Sequence, residues 1–351
     1  MLIIQHFDKI SSTYTYVITT DVNRNAIIID PVFENIETYL GTLTRLNLKL
    51  KYAIDTHTHA DHISGIGKLR DLTNCTTAIG QQSKVIKTGM RVTDGDVIEC
   101  DGMQLKAIYT PGHTDDSYSF LLNNQSLFTG DTLLIGGSGR TDFQNGNPYD
   151  AYHSLHQKIL TLPDSVLVYP AHDYKENTVS TIIYEKKHNP RLQAPSAEAY
   201  AEIMNHLNLP YPKLMDVAVP ANIALGQDIN QSISFDDEIT AEDFITKQKA
   251  NEIVGIDLRE AYECKRDGVI PNTHHCPYTL LDEQLKPGNK LHELLEQHQH
   301  QLYKIVFICA FGERSALALK RVRKIGYKGM KHLQGGYANW IKAGGVPELK
   351  S

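Results

Sequence analysis

Cysteine is scarce in this chain. Five occur in 351 residues (Cys75, Cys100, Cys264, Cys276 and Cys309), an odd number, widely spaced and without a CxxC pair. That arithmetic excludes a disulfide framework, and a reducing compartment suits such thiols. Positive charge is short as well. Lys+Arg 35 against Asp+Glu 41 gives a formal net charge of -6, so the balance supplies no basic face for nucleic acid or an anionic membrane. No apolar run is long enough to cross a bilayer. The start, Met1-Leu-Ile-Ile-Gln-His-Phe-Asp8, lacks the basic residues and apolar stretch of an export signal, which points to the cytoplasm and leaves a cleaved organellar presequence open. Gly 24 and Pro 14 are too few for collagen or linker sequence. What remains is a globular chain, 41% hydrophobic and 22% charged, of a length that suits two compact units. Small molecules are the expected partners, and a homo-oligomer is left open.

Short β-branched runs alternate with amphipathic stretches in the first half: strands over 15–19, 26–30 and 52–55, with a helix over 36–48. More strands are expected at 76–80, 104–110, 118–122, 126–128 and 166–169, and a helix over 149–160 that Pro163 ends. Several strands follow one another directly, so the sheet is mixed. Beyond a helix at 196–209, Pro210, Pro212, Pro220 and Gly226 suit a connecting arm, which places a boundary near 226–240. After it come buried strands at 252–257 and 304–309 and helices at 290–299 and 315–325, the pattern of a small doubly wound α/β unit.

Behind the apolar run ending at Asp55 stands Thr56-His57-Thr58-His59-Ala60-Asp61-His62, an HxHxDH cluster. In extended backbone, residues two apart share a face, so His57 and His59 converge while Asp61 and His62 turn to a neighbouring point. His113, Asp131 and His172 each sit where another strand is expected to end, and all are expected along one sheet edge. Imidazoles and carboxylates are the ligands of borderline transition metals, and Gly112 and Gly130 permit the tight turns that aim such side chains. Four such residues in six have no packing rationale. A metal site follows.

The set resembles the metallo-β-lactamase superfamily over residues 1 to about 190, which implies an αββα sandwich. Gly137-Ser-Gly-Arg-Thr-Asp-Phe-Gln144, Tyr169-Pro-Ala-His-Asp-Tyr174, Asn177-Thr-Val-Ser-Thr181, Asn189-Pro-Arg-Leu192 and Val219-Pro-Ala-Asn222 are similar to the persulfide dioxygenases of that superfamily. That resemblance implies one Fe(II) per chain, held by His57, His113 and Asp131, and oxidation of glutathione persulfide by O2 to sulfite and glutathione. Two imidazoles and one carboxylate leave three coordination positions, room for a sulfur and O2. His59, Asp61, His62 and His172 then surround the ligands or hold a second metal. Arg140, after a Gly-Ser-Gly turn, is a candidate clamp for a substrate carboxylate, and Tyr174 a substrate contact. The family's Pro-Gly is here Asp115-Asp116, a departure that bears on substrate preference.

In the second unit the buried run Lys304-Ile-Val-Phe-Ile leads into Cys309-Ala-Phe-Gly-Glu-Arg314-Ser, followed by a helical pattern. A loop from strand to helix N-terminus turns backbone N–H groups inward, which favours an anion and lowers a thiol's pKa. Arg314 adds charge, so Cys309 is expected as a thiolate nucleophile, with Gly312 shaping the loop. A phosphatase loop places five residues between Cys and Arg; here there are four. The loop resembles the rhodanese, or sulfurtransferase, family, as do Ile256-Asp-Leu-Arg-Glu260 and Leu333-Gln-Gly-Gly-Tyr-Ala-Asn-Trp340. Residues 234–351 are thus expected as a rhodanese unit passing sulfur between thiosulfate and glutathione, after a metallo-β-lactamase-fold unit at 1–233 that includes the arm. Cys264 and Cys276 are expected as packing residues. The rivals are a dizinc thioester hydrolase of glyoxalase II type with an appended sulfurtransferase module, and a non-catalytic persulfide sensor.

Overall fold

The computed structural model describes residues 1–20, 24–86, 88–207, 209–210, 214–224 and 237–349. They fall into two compact units, one of Met1–Ile86 with Arg91–Leu225, the other of Gly226–Ser351 with Lys87–Met90. The expected boundary at 233/234, with Pro212 and Gly226 of the arm, lies outside the described residues.

The first unit holds two six-stranded sheets. One runs β1 (Leu2–Asp8), β2 (Thr13–Thr19), β3 (Asn25–Ile29), β4 (Lys49–Ile54), β5 (Thr76–Gly80), β6 (Met90–Val92) in spatial order. The other uses β7 (Val97–Cys100), β8 (Met103–Tyr109), β9 (Tyr118–Leu122) and β10 (Ser126–Gly130); a small hairpin of β11 (Leu133–Leu134) and β12 (Gly137–Ser138) follows, and β13 (Leu167–Pro170) and β14 (Ser180–Thr181) complete the sheet in the order β14-β13-β10-β9-β8-β7. β2, β9 and β10 are buried at every position because each has cover on both faces. On one side Val17, Ile28 and Ala53 pack under the helix Ile36–Arg45, which contributes Ile36, Tyr39 and Leu43. On the other, Leu127, Leu121 and Val168 pack under Leu155, Ile182 and Tyr200 from later helices. Between the sheets Tyr16 meets Phe128, ring centroids 5.0 Å apart, and its hydroxyl donates to the Pro170 carbonyl at 2.6 Å. The layering is helix, sheet, sheet, helix.

The helix expected over 149–160 is α-helical at Pro148–His153 and widens into a π-type turn over Ser154–Ile159. The arm carries a helix, Met215–Ala224, with Pro220 inside it.

The second unit is a parallel sheet in the order β15 (Glu238–Ile239), β19 (Lys331–Leu333), β18 (Ile305–Ile308), β16 (Val254–Asp257), β17 (Thr273–His275). Along β18 the strand period of two splits the core: Ile305 and Phe307 join Leu291, Leu295 and Leu319 on one face, while Val306 and Ile308 join Phe244, Tyr337 and Trp340 on the other. Helices cover both faces, as a doubly wound unit requires.

Candidate metal centre and cysteine loop

β4 ends at Ile54 and delivers the HxHxDH segment; His113 follows β8, Asp131 follows β10 and His172 follows β13. These strands belong to both sheets, which corrects the expectation of a single sheet edge. A sandwich buried on both faces leaves its strand ends as the place where side chains of the two layers meet. The flanking glycines have no substitute there. Gly130, at φ +52, would put a Cβ 2.5 Å from Thr56 Oγ1, and Gly112, at φ +139, would put one 2.3 Å from the Ala151 nitrogen.

His57, His113 and Asp131 each offer a donor atom, all within 4.8 Å of one another. Hydrogen bonds set which nitrogen points inward. Asp30 Oδ2 accepts from Thr56 Oγ1 at 3.0 Å, so that hydroxyl accepts from His57 Nδ1–H at 3.0 Å. His113 Nδ1–H donates to the Arg140 carbonyl at 2.7 Å. Each ring is therefore held through Nδ1, which leaves Nε2 as the nitrogen toward the cluster, the arrangement a metal ligand needs. Burial, then the His59 and His113 rings, hold His57 well below the usual histidine range, hence neutral. Burial raises Asp131, but His172 Nδ1 at 2.6 Å and the other rings outweigh it and hold the carboxyl below its usual range. Neutral imidazole and ionised carboxylate are the ligating forms. The cluster is partly exposed, His113 at 14% and Asp131 at 12%, whereas His57 is buried.

His59, Asp61 and His62 form an adjacent group of three. His59 Nε2 lies 3.0 Å from buried Asp30; burial works against charging the ring, and the Asp30 carboxylate prevails, pushing it up to about 9. His172 spans the two groups, with Nδ1 on Asp131 at 2.6 Å and Nε2 on Asp61 at 2.9 Å. Among the described residues, the buried His59 Nδ1 and His62 Nε2 have no hydrogen-bond partner.

The fork of Arg140 is occupied. Nε and Nη2 grip Asp142 at 2.7 and 2.8 Å, Nη1 donates to the Pro210 carbonyl at 2.7 Å, and the guanidinium lies over the Phe143 ring. A substrate carboxylate would have to displace Asp142. Tyr174 is 74% exposed and stacks its ring at 9° to that of His172.

Two further residues hold the metal segment in place. Asp30 orients Thr56 and His59, and Asn222, on the arm's helix, donates to the carbonyls of His59 and His62 at 2.9 and 3.0 Å and accepts from the Ser64 N–H at 2.8 Å. Asp30 follows a strand that pairs beside β4 and carries no local signal; Asn222 ends the Val219-Pro-Ala-Asn222 motif, whose resemblance marks the segment but not its contact with the distant His59–Ser64 backbone.

In the second unit Cys309 is fully buried, with Sγ accepting from the Gly312 N–H at 3.1 Å and lying 3.5 Å from Ser315 Oγ. Gly312, at φ +97, starts the helix Glu313–Lys324. Arg314 is directed to Glu263, not to the sulfur, with both contacts 2.7 Å. The expected charge on the loop is thus already neutralised by a carboxylate. Arg259 grips Asp257 at 2.7 Å and lies over Tyr337, tying the Asp-Leu-Arg strand to the last helix. Burial pushes the Cys264 and Cys276 thiols up to about 12, as inert packing thiols require.

Residues 9–172 match the family model of the metallo-beta-lactamase superfamily, and residues 240–343 that of the rhodanese-like domain. The persulfide dioxygenase ETHE1, mitochondrial, of Mus musculus is 46% identical over 228 residues, 64% of this chain and 89% of that protein. The crystal structure of ETHE1 from Myxococcus xanthus is similar with a TM-score of 0.62 and 48% identity, over 64% of this chain and 99% of that one. A metallo-beta-lactamase structure from Staphylococcus aureus, TM-score 0.61, spans 95% of this chain and 99% of its own; at 24% identity it speaks for the fold alone. Fold and family models together define a metallo-beta-lactamase unit followed by a rhodanese-like domain. Within that superfamily the chain belongs to the persulfide dioxygenase family.

Proposed function

We propose that the chain is a two-site sulfur-metabolism enzyme: an Fe(II)-dependent dioxygenase that converts glutathione persulfide and O2 to sulfite and glutathione, and a sulfurtransferase that moves sulfane sulfur between thiosulfate and glutathione through Cys309. The observation that carries it is the cluster of His57, His113 and Asp131, two imidazoles and a carboxylate, in a chain 46% identical to a persulfide dioxygenase. That donor set fits iron, leaving positions for two reactants. Iron bound there supplies the activation of O2 next to the persulfide sulfur. The chain supplies the rest. Thr56 and the Arg140 carbonyl hold the two rings in their ligating tautomer. His172, between Asp131 and Asp61, keeps the Asp131 carboxylate ionised and oriented. Tyr174, exposed and stacked on His172, is the candidate substrate contact. Both oxygen atoms end on the terminal sulfur, and water then releases sulfite from glutathione.

At Cys309 the sulfur attacks the outer sulfur of thiosulfate, the S–S bond breaks and sulfite leaves with its electron pair. The Gly312 N–H donates to that sulfur at 3.1 Å.

The buried His59 Nδ1 and His62 Nε2, without a partner among the described residues, favour a second reading, a two-metal hydrolase, since a second ion would satisfy both atoms. Oxygen consumption on glutathione persulfide by the iron-loaded protein tests the proposal. Hydrolysis of S-lactoylglutathione by a zinc-loaded form that consumes no oxygen contradicts it.

A further inference from the structure

Each histidine of the three-donor cluster is followed by a threonine, His57-Thr58 and His113-Thr114, and both hydroxyls donate to one carboxylate. Thr58 Oγ1 lies 2.5 Å from Asp116 Oδ2, and Thr114 Oγ1 2.6 Å from Asp116 Oδ1. The Thr58 N–H adds a third bond to Oδ2 at 3.2 Å. Asp116 is 4% exposed. The two histidines come from different sheets, one after β4 and the other after β8, so this carboxylate ties the two layers together one residue away from each donor. Asp115 beside it faces outward and accepts from Asn145 Nδ2 at 2.7 Å. The Asp115-Asp116 pair thus divides its work, and only the second member is built into the site.

We propose that Asp116 is a positioning residue of the metal centre, fixing the separation of His57 and His113 so that the donor set is preformed; this rests on the metal reading of that cluster. The carboxylate itself lies outside the donor set. Groups that orient ligands without touching the ion typically change metal affinity about 10- to 100-fold when removed. Asp116→Ala loses both hydroxyl anchors. Asp116→Asn keeps one acceptor oxygen and offers an N–H to the other threonine, so it retains part of the clamp.

The test is Co2+ affinity of the full-length apo-protein, measured by competition with a chromophoric chelator, alongside the melting temperature of the apo form. Asp116→Ala is expected to weaken binding about 10- to 100-fold, Asp116→Asn less, and Thr58→Val and Thr114→Val each by a smaller factor that adds nothing on top of Asp116→Ala. A purely structural role would lower the apo melting temperature and leave affinity in place. Affinities of both Asp116 variants within about twofold of wild type overturn the proposal. If Asp116→Ala does not fold, the two threonine variants decide by the same criterion. A wild-type protein that binds no Co2+ overturns this inference and the dioxygenase reading together, whereas Co2+ binding without oxygen uptake in the iron-loaded protein removes that reading alone.

Discussion

Arg314 and Glu263 form a fully buried bidentate pair, each guanidinium Nη 2.7 Å from one carboxylate oxygen. The pair anchors the first turn of the helix behind Cys309 to the helix Ala261–Asp267. Removing one partner of a buried pair leaves the other charge uncompensated, at a cost of about 3–5 kcal/mol. Glu263→Gln is therefore expected to destabilise the rhodanese-like unit by that order in chemical denaturation. A loss below about 1 kcal/mol would contradict the assignment, since that is what an exposed pair contributes.

Asn222→Ala leaves three buried backbone groups, the His59 and His62 carbonyls and the Ser64 N–H, without their partner. Unpaired buried groups cost about 1–3 kcal/mol each, partly recovered by water, so a loss of about 3 kcal/mol from the first unit is expected together with weaker metal retention. Denaturation and metal content after dialysis check both. Unchanged retention would separate the arm's helix from the metal segment.

The second unit carries a pH signature. Burial, aided by Arg323 and opposed by Asp237, holds His332 down to about 4. The unfolded ring titrates near 6.5, so between about 6.5 and 4 the unfolded state binds a proton that the folded state refuses. Stability from this ring is complete above 6.5 and is lost as pH falls toward 4, by about 3 kcal/mol at most. Glu260 acts in the opposite sense: burial pushes it up to about 7, so stability from it is lost as pH rises from 4.5 to 7. The comparison of wild type with His332→Gln isolates the ring. The stability difference between the two should change across pH 4 to 6.5 and be constant above 7; a pH-independent difference would contradict the buried neutral assignment.

Cys309→Ser should abolish sulfite release from thiosulfate and leave oxygen uptake on glutathione persulfide intact. Both are read on one preparation. Loss of oxygen uptake as well would mean that the two chemistries are not independent.

The HxHxDH segment was legible as a site candidate because it concentrates four potential ligands where packing has no use for them. The cysteine loop was legible for a similar reason, a thiol at the end of an apolar strand with Gly312 and Arg314 behind it. Partners set by tertiary pairing were not. Arg314 reads as a charge beside sulfur until the fold brings up Glu263, fifty-one positions away. Arg140 reads as a free fork, although Asp142 only two residues on satisfies it, because rotamers leave no trace in a sequence. Pro220 reads as a break, yet the helix Met215–Ala224 accommodates it and presents Asn222 to the His59–Ser64 backbone. The helix Ile66–Thr73 escaped notice because fully buried Arg70 interrupts its apolar face.

The most direct measurement is metal content paired with oxygen uptake on glutathione persulfide, made on apo-protein reloaded with either Fe(II) or Zn(II). The account predicts uptake in proportion to iron, saturating at one iron per chain, and none with zinc. Full turnover of a thioester by a two-zinc form, with no oxygen consumed by the iron form, would contradict it.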